Sequence, residues 1–245
     1  MTLAPSTVKS VDFYVLGDDE NKQDSCIEVR NKDLFRQGVP IPNGVYDPHM
    51  GTTEYGWFCQ TCFNNKINCP GHFGHINLRY PVQNHLFKDE IVQWLKIVCF
   101  KCGELLFGKI NLKNKINKLS EYVKNVRNIN RNSKCKNCGE IHPHIVKDKE
   151  RVTVIMVEYY NGKILTSREQ LYNHTIANIF EKIKPDHVNH ISPTHPRKFI
   201  LFNIRVSPNT IRPDIKKISG GRSNNDDLTT LSKAIVEINK DLPLI

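Results

Sequence analysis

Seven of the eight cysteines in this 245-residue chain fall into pairs with one spacing: Cys59-x2-Cys62, Cys99-x2-Cys102, Cys135-x2-Cys138 and Cys69-x2-His72, where an imidazole replaces the second thiol. A Cys-x2-Cys turn aims two donors at one point, and two such turns complete a tetrahedral zinc site. Eight donors in four pairs therefore read as two zinc ions, each with four protein ligands. A hydrolytic zinc keeps one position open for water, and no His-Glu-x-x-His arrangement is present to serve one. The implied role of the metal is structural.

The stretch "CPGHFGH", residues 69 to 75, holds two histidines after one cysteine. Gly71 permits the tight turn that brings His72 beside Cys69. His75 lies three residues further on, where a strand into "INLRYPV" should begin, and reads as a packing or hydrogen-bonding residue beside the site. His142 and His144 are surplus, because two complete knuckles need no substitute. Cys26, outside every pair, reads as a small buried hydrophobe. His187, His190 and His195 fall in a Pro-rich stretch and read as a polar surface loop.

The short x6 gap between Cys62 and Cys69 favours sequential grouping: Cys59, Cys62, Cys69 and His72 in one site, Cys99, Cys102, Cys135 and Cys138 in the other. A RING-like cross-brace, with alternate knuckles sharing a metal, is the competing arrangement. Within the second set the pairs are separated by 32 residues, enough to hold a helix.

Composition limits the rest. The chain is 39% hydrophobic with mean hydropathy −0.46. Its longest apolar runs are far too short to span a bilayer, and residues 1 to 10 lack the apolar core of a signal peptide. These features imply a soluble protein in a reducing compartment, where eight cysteines are not a disulfide framework. The formal charge of +10 falls to +7 once seven thiolates and two divalent ions are counted, which still calls for an acidic partner such as nucleic acid. Nine of these cations lie between Lys109 and Lys136 against the single acid Glu121. The segment is either a solvated face or a phosphate-binding one without base readout, since Tyr122 is its only aromatic residue between those limits.

The elements that must position the ligands follow from periodicity. Val11, Phe13 and Val15 alternate as a strand before a polar turn, "GDDENKQDS", and residues 38 to 56 should form an ordered loop. A helix is expected in 82 to 98, with Leu86, Phe87, Ile91, Trp94, Leu95 and Val98 on one face. Another is expected in 112 to 129, through Ile116, Leu119, Val123 and Val126. Downstream, Asn161-Gly162 marks a two-residue hairpin. Ser167-x-x-Gln170 has capping-box spacing for a helix through Ile183. Residues 184 to 198 read as a loop, 199 to 206 as a buried strand, 219 to 227 as a flexible link and 228 to 240 as an amphipathic helix.

The segments "GVYDPHMGTTEYGWFCQTC", "CPGHFGHINLRYPV" and the helix ending in "VCFKCGELL" resemble the N-terminal clamp region of the largest subunit of multisubunit DNA-directed RNA polymerases. Similarity continues through "KCKNCGEIHPHIVKD", "VSPNTIRPDI" and "NNDDLTTLSKAIVEINK", and the short spacings look most like the versions of large DNA viruses. The resemblance implies an α+β fold: an elongated, zinc-stabilised clamp module with helices, short antiparallel strands and long ordered loops. Residues 1–245 would form one clamp domain, with the first zinc site in 51–80, clamp-head helices and the second site in 81–145, and a continuation of the clamp core in 150–245.

The resemblance further implies a non-catalytic wall of the DNA cleft that closes over template DNA and the RNA–DNA hybrid. Two structural zinc ions would stabilise it, on Cys59, Cys62, Cys69 and His72 and on Cys99, Cys102, Cys135 and Cys138. Its partners would be the second-largest and smaller polymerase subunits, with no membrane. The location would be virion and host cytoplasm for a viral enzyme, or nucleus for a cellular eukaryotic one. Lys113, Lys118, Lys124 and Arg127 are the candidate DNA contacts. The family's catalytic Mg2+ is held by an Asp-Phe-Asp-Gly-Asp motif, whereas this chain has no Asp-x-Asp. The expectation is a fragment or split-gene piece of a nucleotidyltransferase, inactive alone.

Overall fold

The computed structural model describes residues 7–11, 13–106, 118–126, 134–148, 154–213 and 225–243. The described chain starts with α1 (Asp18–Gln23) and β1 (Ser25–Glu28), then a short hairpin of β2 (Phe35–Arg36) and β3 (Val39–Pro40). An ordered loop containing a 3-10 turn at Pro48–Met50 leads to the 11-residue β4 (Phe73–Gln83) and to α2 (Lys88–Leu95). Next come α3 (Lys118–Val126), β5 (His144–Lys147), β6 (Ile155–Asn161) and β7 (Ile164–Leu171). The rest is α4 (Asn173–Glu181), α5 (Pro185–Asn189), β8 (Ile200–Val206) and α6 (Asp227–Asp241). The class is α+β.

β4 is the centre of the main sheet, with β8 antiparallel on one side and β1 parallel on the other. The parallel pair and the length of β4 depart from an expectation of short antiparallel strands. Parallel neighbours need a long crossover, and residues 29 to 72, which carry the first ligand set, supply it. The first metal centre is thus built on the connection between two paired strands.

β5, β6 and β7 form an antiparallel meander. The expected hairpin is present, but Asn161 pairs with Ile164, so Gly162 and Lys163 are the central turn residues. Gly162, at φ +62, takes the left-handed first position that a type II′ turn requires.

Two cores lie against these sheets. In the larger one, Ile91, Trp94, Leu95 and Val98 of α2 and the residues after it meet Leu119, Tyr122 and Val123 of α3 and Ile176 and Phe180 of α4. Each such side chain contributes about 1.5–3 kcal/mol when fully buried. The smaller core joins Val29, Val45, Met50, Ile76, Val206 and Val236, and so ties the first ligand loop to β4, β8 and α6.

Several expectations need correction. Residues 7–11 and 13–17 form no strand, and the polar turn after them is α1. Its first turn carries Asp18, Asp19 and Glu20, which suit the positive helix N-terminus. The Asp18 carboxylate also accepts the Phe202 N–H at 2.8 Å, pinning α1 to β8. The helix expected from 82 starts at Lys88 instead, because Val82 and Gln83 still pair with β8, and Leu86 is exposed. Of its companion, α3 retains buried Leu119 and Val123, while Ile116 lies outside the described residues. Ser167 and Gln170 are in β7, not at a cap, because pairing with β6 claims their backbone, and α4 starts at Asn173. Residues 185–189 are helical, with Pro185 in the first turn, where its missing N–H costs nothing. Most of the proposed link at 219–227 lies outside the described residues.

Candidate metal centres

Three of the four knuckles repeat one backbone pattern. Phe63 N, Gly103 N and Gly139 N donate to the carbonyls of Cys59, Cys99 and Cys135, each at 2.9 Å. The three cysteine N–H groups donate in turn to Asn64, Glu104 and Glu140 at 2.8–2.9 Å. Antiparallel bridges close each turn, at Phe58–Asn65, Val98–Leu105 and Lys134–Ile141. The residue after the second cysteine must take positive φ to close that turn: +57 at Phe63, +72 at Gly103 and +73 at Gly139.

The donor atoms of Cys59, Cys62, Cys69 and His72 lie within 4.8 Å of one another, and so do those of Cys99, Cys102, Cys135 and Cys138. The grouping is sequential, which removes the geometric basis for a RING-like cross-brace. Sulfur atoms approach at 3.6 Å for Cys62–Cys69, 3.5 Å for Cys99–Cys138 and 3.6 Å for Cys102–Cys135. A tetrahedron of thiolates about 2.3 Å from an ion places its sulfurs roughly 3.8 Å apart, so the donor sets fit a four-coordinate metal. All eight cysteines are free thiols. Nε2 of His72 is buried without a hydrogen-bond partner, as expected of an atom positioned to ligate.

The first centre rests on the Pro48–Met50 turn. The His72 N–H donates to Met50 O at 3.2 Å, and the Thr61 hydroxyl donates to His49 O at 2.7 Å. Asp47 shapes this turn by accepting from the backbone N–H of Asn43 and of His49, at 2.6 and 2.9 Å. From the far end of the sequence, buried Asn209 donates to the carbonyls of Asp47 and Gly51 at 2.8 and 2.9 Å. Gly71 lies so near this segment that a Cβ on it would come within 2.3 Å of Thr210 Oγ1. Arg212, also buried, donates to Val45 O, Asn209 Oδ1 and Thr229 Oγ1 at 2.9–3.0 Å, linking loop and α6.

The second centre docks on the corner between α4 and α5. Lys184 pairs with Glu104 at 2.5 Å, His187 lies 3.4 Å from the same carboxylate, and Lys182 donates to Phe100 O at 3.2 Å. Buried Cys99, Leu106 and Cys135 cluster at the centre, while Val98, Phe100 and Leu105 of its first knuckle pack into or against the large core.

The thiols differ in ease of ionisation. In the first centre the His72 imidazole beside Cys62 pulls that thiol down to about 6, while burial pushes Cys69 up to about 11. In the second, burial pushes Cys99 up to about 12. Burial opposes ionisation of Cys102 too, but hydrogen bonds from the Glu104 backbone and Asn137 bring it to about 7. Each centre thus has one thiol ready to ionise and another that needs the charge of an ion.

Among the described residues none of the other histidines joins a donor cluster, but His187 lies in α5 and packs towards Glu104 instead of standing in a polar surface loop. His75 Nδ1 is 2.8 Å from Ser25 Oγ across the β1–β4 pair, outside the donor cluster. Burial drives the His142 pKa down to about 4, and its ring meets Phe100 edge-on at 5.2 Å. His195 accepts from Arg197 N and lies 3.1 Å from Ile183 O. Cys26 is half-buried and donates to His49 O at 3.3 Å. Of the basic candidates, Lys118 opens α3 and Lys124 is exposed on it. Lys113 and Arg127 lie outside the described residues. Sequence reasoning did not single out Asn209, Thr210 and Arg212, whose contacts with the first loop cross about 140 to 170 positions.

The family model for RNA polymerase Rpb1, domain 1, matches residues 5–244. The chain belongs to this family. It is 30% identical over 246 residues to a DNA-directed RNA polymerase RPB1 homolog of African swine fever virus (strain Badajoz 1971 Vero-adapted), covering 97% of this chain and 17% of that relative. It is also 30% identical to a probable DNA-directed RNA polymerase II subunit RPB1 homolog of Invertebrate iridescent virus 6, over 95% of this chain and 24% of the relative. The DNA-directed RNA polymerase subunit Rpo1N of Sulfolobus acidocaldarius is 30% identical over 98% of this chain and 28% of its own length. The chain therefore spans less than a third of each. Among the described residues no helix is long and apolar enough to cross a membrane.

Proposed function

We propose that the chain is the clamp portion of the largest subunit of a DNA-dependent RNA polymerase, a non-catalytic wall of the cleft that holds template DNA during transcription. The observation that carries this reading is the closure of both ligand sets in a member of the Rpb1 domain 1 family. Four protein donors per centre leave no position for water or substrate, so the ions would hold loops rather than react. Zinc is the metal best matched to three thiolates with an imidazole, or to four thiolates, at tetrahedral spacing. Cys59, Cys62, Cys69 and His72 would hold one ion, and Cys99, Cys102, Cys135 and Cys138 the other.

In the complete enzyme the partners would be the second-largest and smaller polymerase subunits, template DNA and the RNA–DNA hybrid. Nucleotidyl transfer and its Mg2+ would belong to residues elsewhere in the enzyme, since this chain has no Asp-x-Asp. Lys118 and Lys124 share α3, and with Lys113 and Arg127 they form the proposed phosphate-facing group.

The test is the assembled polymerase with Lys113, Lys118, Lys124 and Arg127 all changed to Glu. Retention of DNA should become shorter and less salt-dependent, the log–log slope falling by about 0.9 for each phosphate that is no longer neutralised. Unchanged complex lifetime at low and high salt, with both metals in place, would return this group to a merely solubilising role.

A further inference from the structure

A cleft of about 260 Å3 opens beside the first centre, between the β2–β3 hairpin and residues 51–57. Its large lining side chains are the rings of Phe35, Tyr46, Tyr55 and Trp57 with two prolines and one acid, Glu54, and among the described residues no Leu, Ile, Val or Met faces it. Tyr46 is the buried floor. It stacks on Phe35 with centroids 5.6 Å apart, has the Arg212 guanidinium 5.4 Å from its centroid, and donates its hydroxyl to Arg212 O at 2.6 Å. Above this fixed floor Phe35, Tyr55 and Trp57 are 46%, 78% and 39% exposed.

One cation flanks the rings: Lys66 Nζ lies 4.5 Å from the Tyr55 centroid. We propose that this cleft binds single-stranded nucleic acid, with bases stacked on Tyr55, Trp57 and Phe35 and with Lys66 meeting the phosphates.

Aromatic platforms with flanking positive charge take bases of any sequence, because every base presents a π face. An aliphatic peptide side chain would call for aliphatic walls, which the cleft lacks. A proline-rich peptide also docks on aromatic grooves, but gains nothing from the flanking lysine. The basic segment around α3 cannot stack bases on Tyr122, which is buried. Base stacking at the cleft goes beyond the clamp reading and draws on it only for the presence of nucleic acid.

Trp57 is the natural probe. The only other tryptophan, Trp94, is fully buried, so quenching of emission by an added strand reports the cleft. The metal-loaded 245-residue chain would be titrated with oligo(dT) of about ten nucleotides, a duplex of equal length and a proline-rich peptide. Oligo(dT) should quench Trp57, and Tyr55→Leu should weaken its binding about tenfold, while Tyr55→Phe, which keeps the ring, stays within about twofold of the parent. Metal content confirms that both variants remain folded. Absence of quenching by oligo(dT), equal binding of the duplex, equal effects of Leu and Phe, or displacement by the peptide would each overturn the proposal. The clamp reading is tested separately, by DNA retention in the assembled polymerase after charge reversal around α3, so failure here is distinguishable from failure of that reading.

Discussion

Gly103 sits so close to the end of α4 that a Cβ built on it would lie 2.3 Å from the carbonyl oxygen of Lys182. Its equivalent in the next knuckle, Gly139, has the same positive φ with nothing within 4 Å of such a Cβ. The two glycines thus separate backbone strain from steric conflict. Gly139→Ala should cost about 1 kcal/mol, the strain of a left-handed residue. Gly103→Ala adds a collision with fixed backbone and should cost more than about 2 kcal/mol. Thermal unfolding of the two metal-loaded variants checks this, and equal losses would disprove the contact with Lys182.

The first knuckle places exposed Phe63 at the same left-handed position. Phe63→Gly relieves strain of about 1–2 kcal/mol, partly offset by the greater freedom glycine has in the unfolded chain. A net gain of about 0.5–1 kcal/mol is expected in denaturant unfolding. A loss would mean that the Phe63 ring packs on something in solution.

Sequential grouping has a direct genetic test. Cys59→Ser with Cys102→Ser removes one ligand from each centre as they stand, and so should abolish or weaken both sites. In a cross-brace the same two changes would strike a single site and leave one metal tightly bound. Metal content after dialysis against a mild chelator separates the outcomes.

What could be read from sequence was what the chain decides locally. The knuckles were legible because two residues of spacing set the donor geometry, and so were the hairpin at Gly162 and the body of α6, though not its Asp226 cap. α1 was not, because Asp18 is held by the Phe202 and Asn203 N–H groups, partners 184 and 185 residues away. Ser167 and Gln170 carried a real helix-start signal, which lost to pairing with Tyr159 and Met156 in the meander. Asn209 and Arg212 support the first centre only after folding has brought both ends of the chain together. Such residues have no spacing rule to announce them.

His142 should make the protein acid-sensitive. Burial holds its pKa at about 4, below the ordinary 6.5, so the unfolded chain binds the proton first as pH falls. Stability is therefore intact above 6.5 and is lost between 6.5 and 4, by about 2 kcal/mol on going from pH 7 to pH 5. His142→Phe keeps an aromatic ring against Phe100 and removes the titration. The difference in unfolding free energy between parent and variant should shift by about that amount across the interval, while acid loss of metal, common to both, cancels. A pH-independent difference would mean that the ring reaches water.

Chelation should unfold the centres unevenly. The second centre has buried Cys99, Leu106 and Cys135 at or beside the metal, and Val98, Phe100 and Leu105 tie its first knuckle to the large core. Among the described residues the Cys135–Cys138 knuckle has no such anchor, whereas the first centre shares Met50 with a core that includes Ile76 and Val206. Without metal, little besides a short turn and the surface pair Lys101–Glu140 would hold that knuckle, and such a pair contributes about 0–1 kcal/mol. Hydrogen exchange after chelation should show the Gly139 amide losing protection first and the Gly103 and Phe63 amides next. Amides in the β4–β8 ladder should keep theirs, because the large core beneath it, from Ile91 to Ile200, contains no ligand. Simultaneous loss across the ladder would show that the metals hold the whole fold rather than its loops.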